Sequence, residues 1–250
     1  MTNILMLGSG PGVTELTEAP RAPFDRIVAI NNAWRVRPDW DVLVHPWDFP
    51  ADRMPPATAP SQRIVAEDDF VPAQNRWGGF VYAGATMAFT AGYWVLDALA
   101  PRVLAVHGCD MHYPATGQTH FYGTGTPDPL RPDITLQSLE AKSARLMILA
   151  ARAGCAAVNL SSGPSRLVFP RAQVADLATI RPASYDGIAA DEALAAESDL
   201  DYRVPSGRYW EELDRFDPAE LARIDTLWLA ALRPASTRTG RELAHPGTAA

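Results

Sequence analysis

"NILMLGSGPGVTEL", residues 3–16, begins with five residues that offer a buried strand and ends in a turn dense with glycine. Asn3–Leu7 is apolar after its first position, with no polar alternation, and the run stops at Gly8, Ser9, Gly10, Pro11 and Gly12. A continuous apolar run of this length, closed by turn residues, reads as a strand covered on both faces. The same signature recurs at Arg26–Ile30, Asp41–Val44, Arg63–Val65, Arg102–His107 and Ala156–Leu160. Between these runs lie helix-length segments. Gly84–Leu99 is apolar nearly all round, and Leu136–Ala153 places Leu139, Leu146, Leu149 and Ala153 on one face before the stop at Gly154. Strands alternating with helices predict an α/β chain with a mainly parallel, Rossmann-like sheet flanked by helices.

Two further boundaries follow. After Pro170 the pattern loosens through the alanine-rich 182–204, and "SGRYWEELDRFDPAELARIDTLWLAAL" (206–232) then offers two amphipathic helices around the Asp217–Pro218 cap. The expected organisation is therefore a Rossmann-like domain over 1–170, a small helical C-terminal appendage or lid over 171–232, and a tail over 233–250.

Composition excludes several classes. With 29 acidic against 22 basic residues the net charge is −7, and no basic block is present to follow a nucleic-acid backbone. Cys109 and Cys155 have no paired spacing and read as reduced thiols, the pattern of a cytoplasmic chain. No run reaches the roughly 18 apolar residues of a membrane span, and the N-terminus carries no basic leader. Homo-oligomerisation stays open.

A glycine turn after a buried strand lets backbone N–H groups approach an anionic ligand. Here Val13 stands at the third position of the dinucleotide fingerprint and no acidic residue ends the second strand, which disfavours NAD. That strand ends instead in "VAINNAW", where Asn31 and Asn32 offer uncharged hydrogen bonds to a ribose or base, or simply cap a turn.

"HGCDMHYPATGQTHFYG" (107–123) holds three of the chain's five histidines. As a zinc site, His107, Cys109, His112 and His120 lack any recognised ligand spacing. As an acid/base site the stretch asks less: one histidine titrating near neutral pH over a cleft, best met by His120 in "GQTHFYGTG". The plainer alternative is that His120 packs with Phe121 and Tyr122. Asp110 and His112 fall at the carboxyl edge of their strand, where ligands of open parallel sheets sit. Trp47 in "HPWDFP" reads first as a loop anchor and second as a stacking surface. Arg76 in "RWGGFVY" is offered to a phosphate or carboxylate. Tyr209, Trp210 and Trp228 read as packing in the C-terminal helices, or equally as a lid over the cleft.

Laid out in order, these motifs resemble the sialyltransferases of glycosyltransferase family 42 and related phage and bacterial proteins, over roughly residues 4–169. The matching elements are "GSGPG" (8–12), "NNAW" (31–34), "YAGATMAF" (82–89), "GCDMHY" (108–113) with "HFYG" (120–123), and "NLSSGPSRL" (159–167). The resemblance implies a variant of the glycosyltransferase A type of fold, a nucleotide-sugar donor with CMP-linked donors first, and a glycan or small hydroxyl acceptor. It also implies direct displacement with no metal or other cofactor. By the same resemblance His120 is the catalytic base. The nucleotide falls to Gly8, Ser9, Gly10, Pro11, Gly12, Asn31, Asn32, Ala83, Gly84, Asn159, Ser162 and Ser165. Phosphate or sugar contacts fall to Asp110, His112 and Tyr113, with Arg76 added from its position. Ser9 stands where the family has asparagine, and His112 where it has tyrosine. A similarity of pattern to the pterin pyrophosphokinase-like and motility-accessory group keeps phosphotransfer open, with Asp110, Asp128 and Asp133 as candidate Mg²⁺ ligands. A non-catalytic nucleotide-binding accessory protein is the third class.

Overall fold

The computed structural model describes residues 2–125 and 128–232; the expected tail over 233–250 lies outside them. Six strands form one sheet: β1 (Asn3–Leu7), β2 (Arg26–Ile30), β3 (Val42–Val44), β4 (Arg63–Val65), β5 (Val103–His107) and β6 (Ala156–Asn159). Their order is β4-β3-β2-β1-β5-β6 and every pairing is parallel. The expected mainly parallel α/β sheet is thus wholly parallel. From β1 the chain winds outward to β4, then returns across the sheet to β5 on the other side of β1. The winding reverses between β1 and β5, which pair with Leu7 opposite His107. That reversal is where an open parallel sheet leaves a crevice at its carboxyl edge.

Right-handed crossovers send the connections of the two halves to opposite faces. On one face Ile4, Met6, Val28 and Val106 pack beneath all the α-helices: α1 (Glu67–Arg76), α2 (Phe80–Ala83), α3 (Met87–Leu99), α4 (Leu139–Arg152), α5 (Gly187–Leu200) and α6 (Pro218–Ala231). On the other face, among the described residues, Leu5, Leu7, Ile27, Ala29 and Leu43 meet loops and 3₁₀ turns, through Val13, Leu16, Trp40 and Leu177. The period-two alternation of strand side chains divides the two cores.

Several helices differ from the sequence expectation. The long segment from Gly84 is interrupted: Gly84 takes φ +85° after α2, and Thr86 then caps α3 by accepting from the Phe89 N–H. Leu136 belongs to a 3₁₀ turn capped by Asp133, so α4 starts at Leu139 behind its own cap, Ser138. Of the two helices expected around Asp217, only α6 forms, with Asp217 accepting from the Ala219 N–H. The upstream half makes two 3₁₀ turns, Tyr209–Glu211 and Leu213–Arg215. The alanine-rich segment contains α5, which packs against α6.

Residues 171–232 share a core with residues 1–170. Leu221, Ile224 and Trp228 belong to the same apolar cluster as Phe89 and Leu146. Buried charge adds to the junction. Arg145, 1% exposed, donates to Glu197 Oε1 at 2.8 Å and Oε2 at 2.7 Å, to the Tyr93 hydroxyl at 2.7 Å and to the Trp77 carbonyl at 2.6 Å. Trp228 Nε1 donates to Glu197 Oε1 at 2.7 Å, and Lys142 pairs with Asp225 at 2.8 Å. No helix among the described residues is long and apolar enough to cross a membrane.

Candidate functional site

A cleft of about 850 Å³ opens at the carboxyl edge of the sheet, over the reversal point. Its floor is made by two loops that touch. The Gly8 N–H donates to the His107 carbonyl and the Gly10 N–H to the Gly108 carbonyl, both at 2.8 Å, while the Gly108 N–H donates to Ser161 Oγ at 3.2 Å. The loops after β1, β5 and β6 are therefore tied together. This approach explains the glycines. A Cβ on Gly8 would lie 2.3 Å from the Gly108 oxygen and 2.7 Å from Cys109 Sγ, whereas one on Gly12 would meet nothing nearer than 3.7 Å. Gly8→Ala should accordingly lower stability by at least about 1–3 kcal/mol in urea unfolding, with Gly12→Ala within about 0.5 kcal/mol of wild type. Equal effects of the two substitutions would mean that the loop contact does not govern them.

Gly8–Gly12 all line the cleft, and so does Asn31 at the end of β2. Asn31 holds φ +52°, left-handed for a non-glycine residue, and its buried Oδ1 has no hydrogen-bond partner among the described residues. Asn32 is buried and is not among the residues that line the cleft. Ala83 and Gly84 are likewise displaced one step, because the break at Gly84 puts Ala85, Thr86, Met87 and Ala88, the entry of α3, on the wall. First-turn N–H groups of a helix lack intrahelical acceptors and favour negative charge.

Asp110, His112 and Tyr113 line the cleft as expected. Asn159 and Ser165 stand behind the wall. Asn159 Nδ2 donates to Asp110 Oδ1 at 2.9 Å and to Ser165 Oγ at 3.1 Å, and its Oδ1 accepts from the Ser161 N–H at 2.9 Å. They shape the loop from which Ser161, Ser162, Gly163 and Pro164 face the cleft. Arg171 donates to the Ser161 and Gly163 carbonyls and lies 3.8 Å from Asp110.

Arg76 is a correction. It ends α1 and forms a two-pronged pair with Asp97 of α3, which raises its pKa, and it takes no part in the cleft. Its helix is hard to see in the sequence because α1 contains Pro72, a residue that argues against a helix. The cleft's arginine is instead Arg131, 3.0 Å from Asp133 and 3.3 Å from the Tyr209 hydroxyl. Asp133 also caps Thr135 and accepts from Tyr209 at 2.6 Å. Burial, together with Asp133, pushes the Tyr209 hydroxyl up to about 12.

Tyr209 and Trp210, read from sequence as packing or as a lid, line the cleft, as do Glu15 and His107. Trp47 is 70% exposed at the rim and so is no loop anchor; Trp210 and Tyr122 on the same rim are 49% and 43% exposed. Burial lowers the pKa of His107, an effect opposed by Glu15, whose carboxylate lies 3.6 Å from its Nε2. Among the described residues, no three His, Cys, Asp or Glu side chains converge on a metal-sized site. The Asp128 side chain lies outside the described residues.

His120 sits on a tight turn closed by reciprocal hydrogen bonds with Gly123 at 3.0 Å. The Phe121 N–H donates to the Ser9 carbonyl at 3.0 Å, which docks this turn on the glycine loop. The His120 ring stacks on Tyr122 with centroids 5.0 Å apart and meets Tyr113 at 5.9 Å. Burial lowers its pKa, which favours the neutral ring, whose unprotonated nitrogen can accept a proton.

Fold and site together define a doubly wound α/β chain with a cleft of mixed polar and apolar lining, rimmed by aromatic rings, over its topological reversal. No protein-family model, curated protein or solved structure matches the chain.

Proposed function

We propose that the chain is a glycosyltransferase that moves a sugar, sialic-acid-like by resemblance, from a nucleotide donor to an acceptor hydroxyl by metal-independent direct displacement. CMP-linked donors come first. The observation that carries this reading is that His120, whose pKa burial lowers, shares one cleft with a glycine loop, Asn31 and the entry of α3. An acceptor hydroxyl is a poor nucleophile at neutral pH, and a positioned histidine makes it competent by taking its proton in the transition state. The departing phosphate needs charge stabilisation, which backbone N–H groups of the α3 entry, His112, Tyr113 and Arg131 supply in this reading. The exposed rings of Trp47, Trp210 and Tyr122 offer faces to a base or a sugar ring. Asp133 and Asp110 already serve Thr135, Tyr209, Arg131 and Asn159, which weighs against their use as a paired Mg²⁺ cradle for phosphotransfer.

The test is thermal unfolding with CMP, UMP, GMP, ADP and ATP, each with and without Mg²⁺. A ligand at about 100 times its Kd stabilises by about 2.7 kcal/mol, roughly 5–10 °C in Tm for a chain of this size. The expected result is a shift with CMP that does not depend on Mg²⁺. A shift with ATP and Mg²⁺ alone would replace this reading by phosphotransfer, and silence from every nucleotide would remove it.

A further inference from the structure

Thr119 is 8% exposed and its hydroxyl has three partners, all at the turn that carries His120. Oγ1 lies 2.9 Å from His120 Nδ1, 2.9 Å from the Gly125 nitrogen and 3.1 Å from the Gly125 oxygen. A hydroxyl has one proton to give and two lone pairs to receive with. The Gly125 N–H can only donate, so it occupies one lone pair. The Gly125 carbonyl can only accept, so it takes the hydroxyl proton; otherwise two bare oxygens would face each other at 3.1 Å. One lone pair remains, and it faces Nδ1. Only a protonated Nδ1 satisfies it.

We infer that Thr119 is a positioning residue that fixes His120 with its proton on Nδ1 and its lone pair on Nε2; the catalytic use of that lone pair rests on the transfer reading above. The geometry around the ring supports a fixed arrangement. Gly125 returns so close that a Cβ there would lie 3.4 Å from Nδ1, and the turn is held by the His120–Gly123 bonds and by the Ser9 carbonyl. The groups packed on the imidazole are Tyr113 and Tyr122, and the lowering of its pKa has burial as its cause. In the transfer step the acceptor oxygen forms its bond to the anomeric carbon and its proton passes to Nε2. The bond from that carbon to the donor's phosphate oxygen breaks, and the electron pair leaves with the phosphate. The imidazolium keeps the same Nδ1–H···Oγ1 bond, so no rearrangement accompanies the proton's arrival. A histidine whose partner holds one nitrogen protonated presents the other as the base, and the partner sets which is which.

The experiment is nitrogen-15 NMR of the imidazoles in the full chain, above the His120 pKa, with the signal assigned by its absence in His120→Gln. Wild type and Thr119→Ser should show the proton on Nδ1, and Thr119→Val should move it wholly or partly to Nε2. A wild-type proton on Nε2, or an Nδ1 proton that survives in Thr119→Val, overturns the assignment. Kinetics with a CMP-linked sugar donor form the second arm. Thr119→Val should lower kcat by about 10- to 100-fold with little change in KM and a displaced acid limb of the pH profile, and Thr119→Ser should restore it to within a few-fold. An unchanged kcat and profile in Thr119→Val would overturn the positioning role. An Nδ1 proton in a chain that transfers no sugar would leave the tautomer assignment standing and remove the transfer reading alone.

Discussion

His120→Ala should lower the turnover of sugar transfer by roughly 10²–10⁴-fold while leaving CMP affinity within a few-fold of wild type. The size follows from what a neutral imidazole does for an acceptor hydroxyl; the selectivity follows from where the ring sits. His120 lies with Tyr113 and Tyr122, and its turn is tied to the glycine loop by the hydrogen bond from the Phe121 N–H to the Ser9 carbonyl, a backbone contact that alanine preserves. The pH dependence carries the same signature. A base must be unprotonated, and burial holds the folded pKa of His120 below the ordinary 6.5. Activity should therefore persist through neutral pH and fall only as pH drops through that lowered value, and this limb should vanish in the alanine variant. EDTA should change neither rate nor affinity. Full activity in His120→Ala would remove the residue from the mechanism, and EDTA-sensitive activity restored by Zn²⁺ or Mg²⁺ would replace the metal-free displacement.

Glu197→Ala should destabilise the chain by about 3–5 kcal/mol, the cost of leaving a buried charge without its partner. Glu197 is the shared acceptor for Arg145 and Trp228, and both donors are almost wholly buried. Alanine leaves the guanidinium of Arg145 with only the Tyr93 hydroxyl and the Trp77 carbonyl. Replacing both partners by apolar residues, Arg145→Met with Glu197→Leu, should recover much of the loss, since no uncompensated charge then remains. Urea unfolding monitored by tryptophan fluorescence gives both numbers. A loss below about 1 kcal/mol in Glu197→Ala would mean that water reaches the pair.

All six strands were legible because strands covered on both faces carry their signal locally: an apolar run and a turn residue at its end. Helix α4 announced itself by period and stop, and α6 by its Asp217–Pro218 cap. Helix α5 was missed because small alanines leave little amphipathic contrast, and α1 because of Pro72. All five segments expected around the cleft, 8–12, 31–32, 82–86, 110–113 and 159–165, reach it, through Gly8–Gly12, Asn31, Ala85 with Thr86, Asp110 with His112 and Tyr113, and Ser161 with Ser162. All lie at or near the carboxyl ends of strands or the entry of a helix, positions that sequence order alone can assign.

Membership of the cleft beyond those ends was settled only by the tertiary structure. Arg131, Tyr209 and Trp210 arrive from segments far apart in the chain, and Arg76 is drawn away by Asp97, a partner 21 residues on. Trp47 and Trp210 could not be told from packing aromatics, because exposure depends on what the rest of the chain leaves uncovered. The sequence by itself determined the alternation that builds a parallel sheet and the strand ends that must share one edge, since both rest on contacts within a few residues. Which side chains meet across that edge, which nitrogen of His120 carries its proton, and how Glu197 comes to pair with Arg145 were decided by the tertiary structure. Those contacts join residues by register, winding and helix packing, which no local pattern encodes.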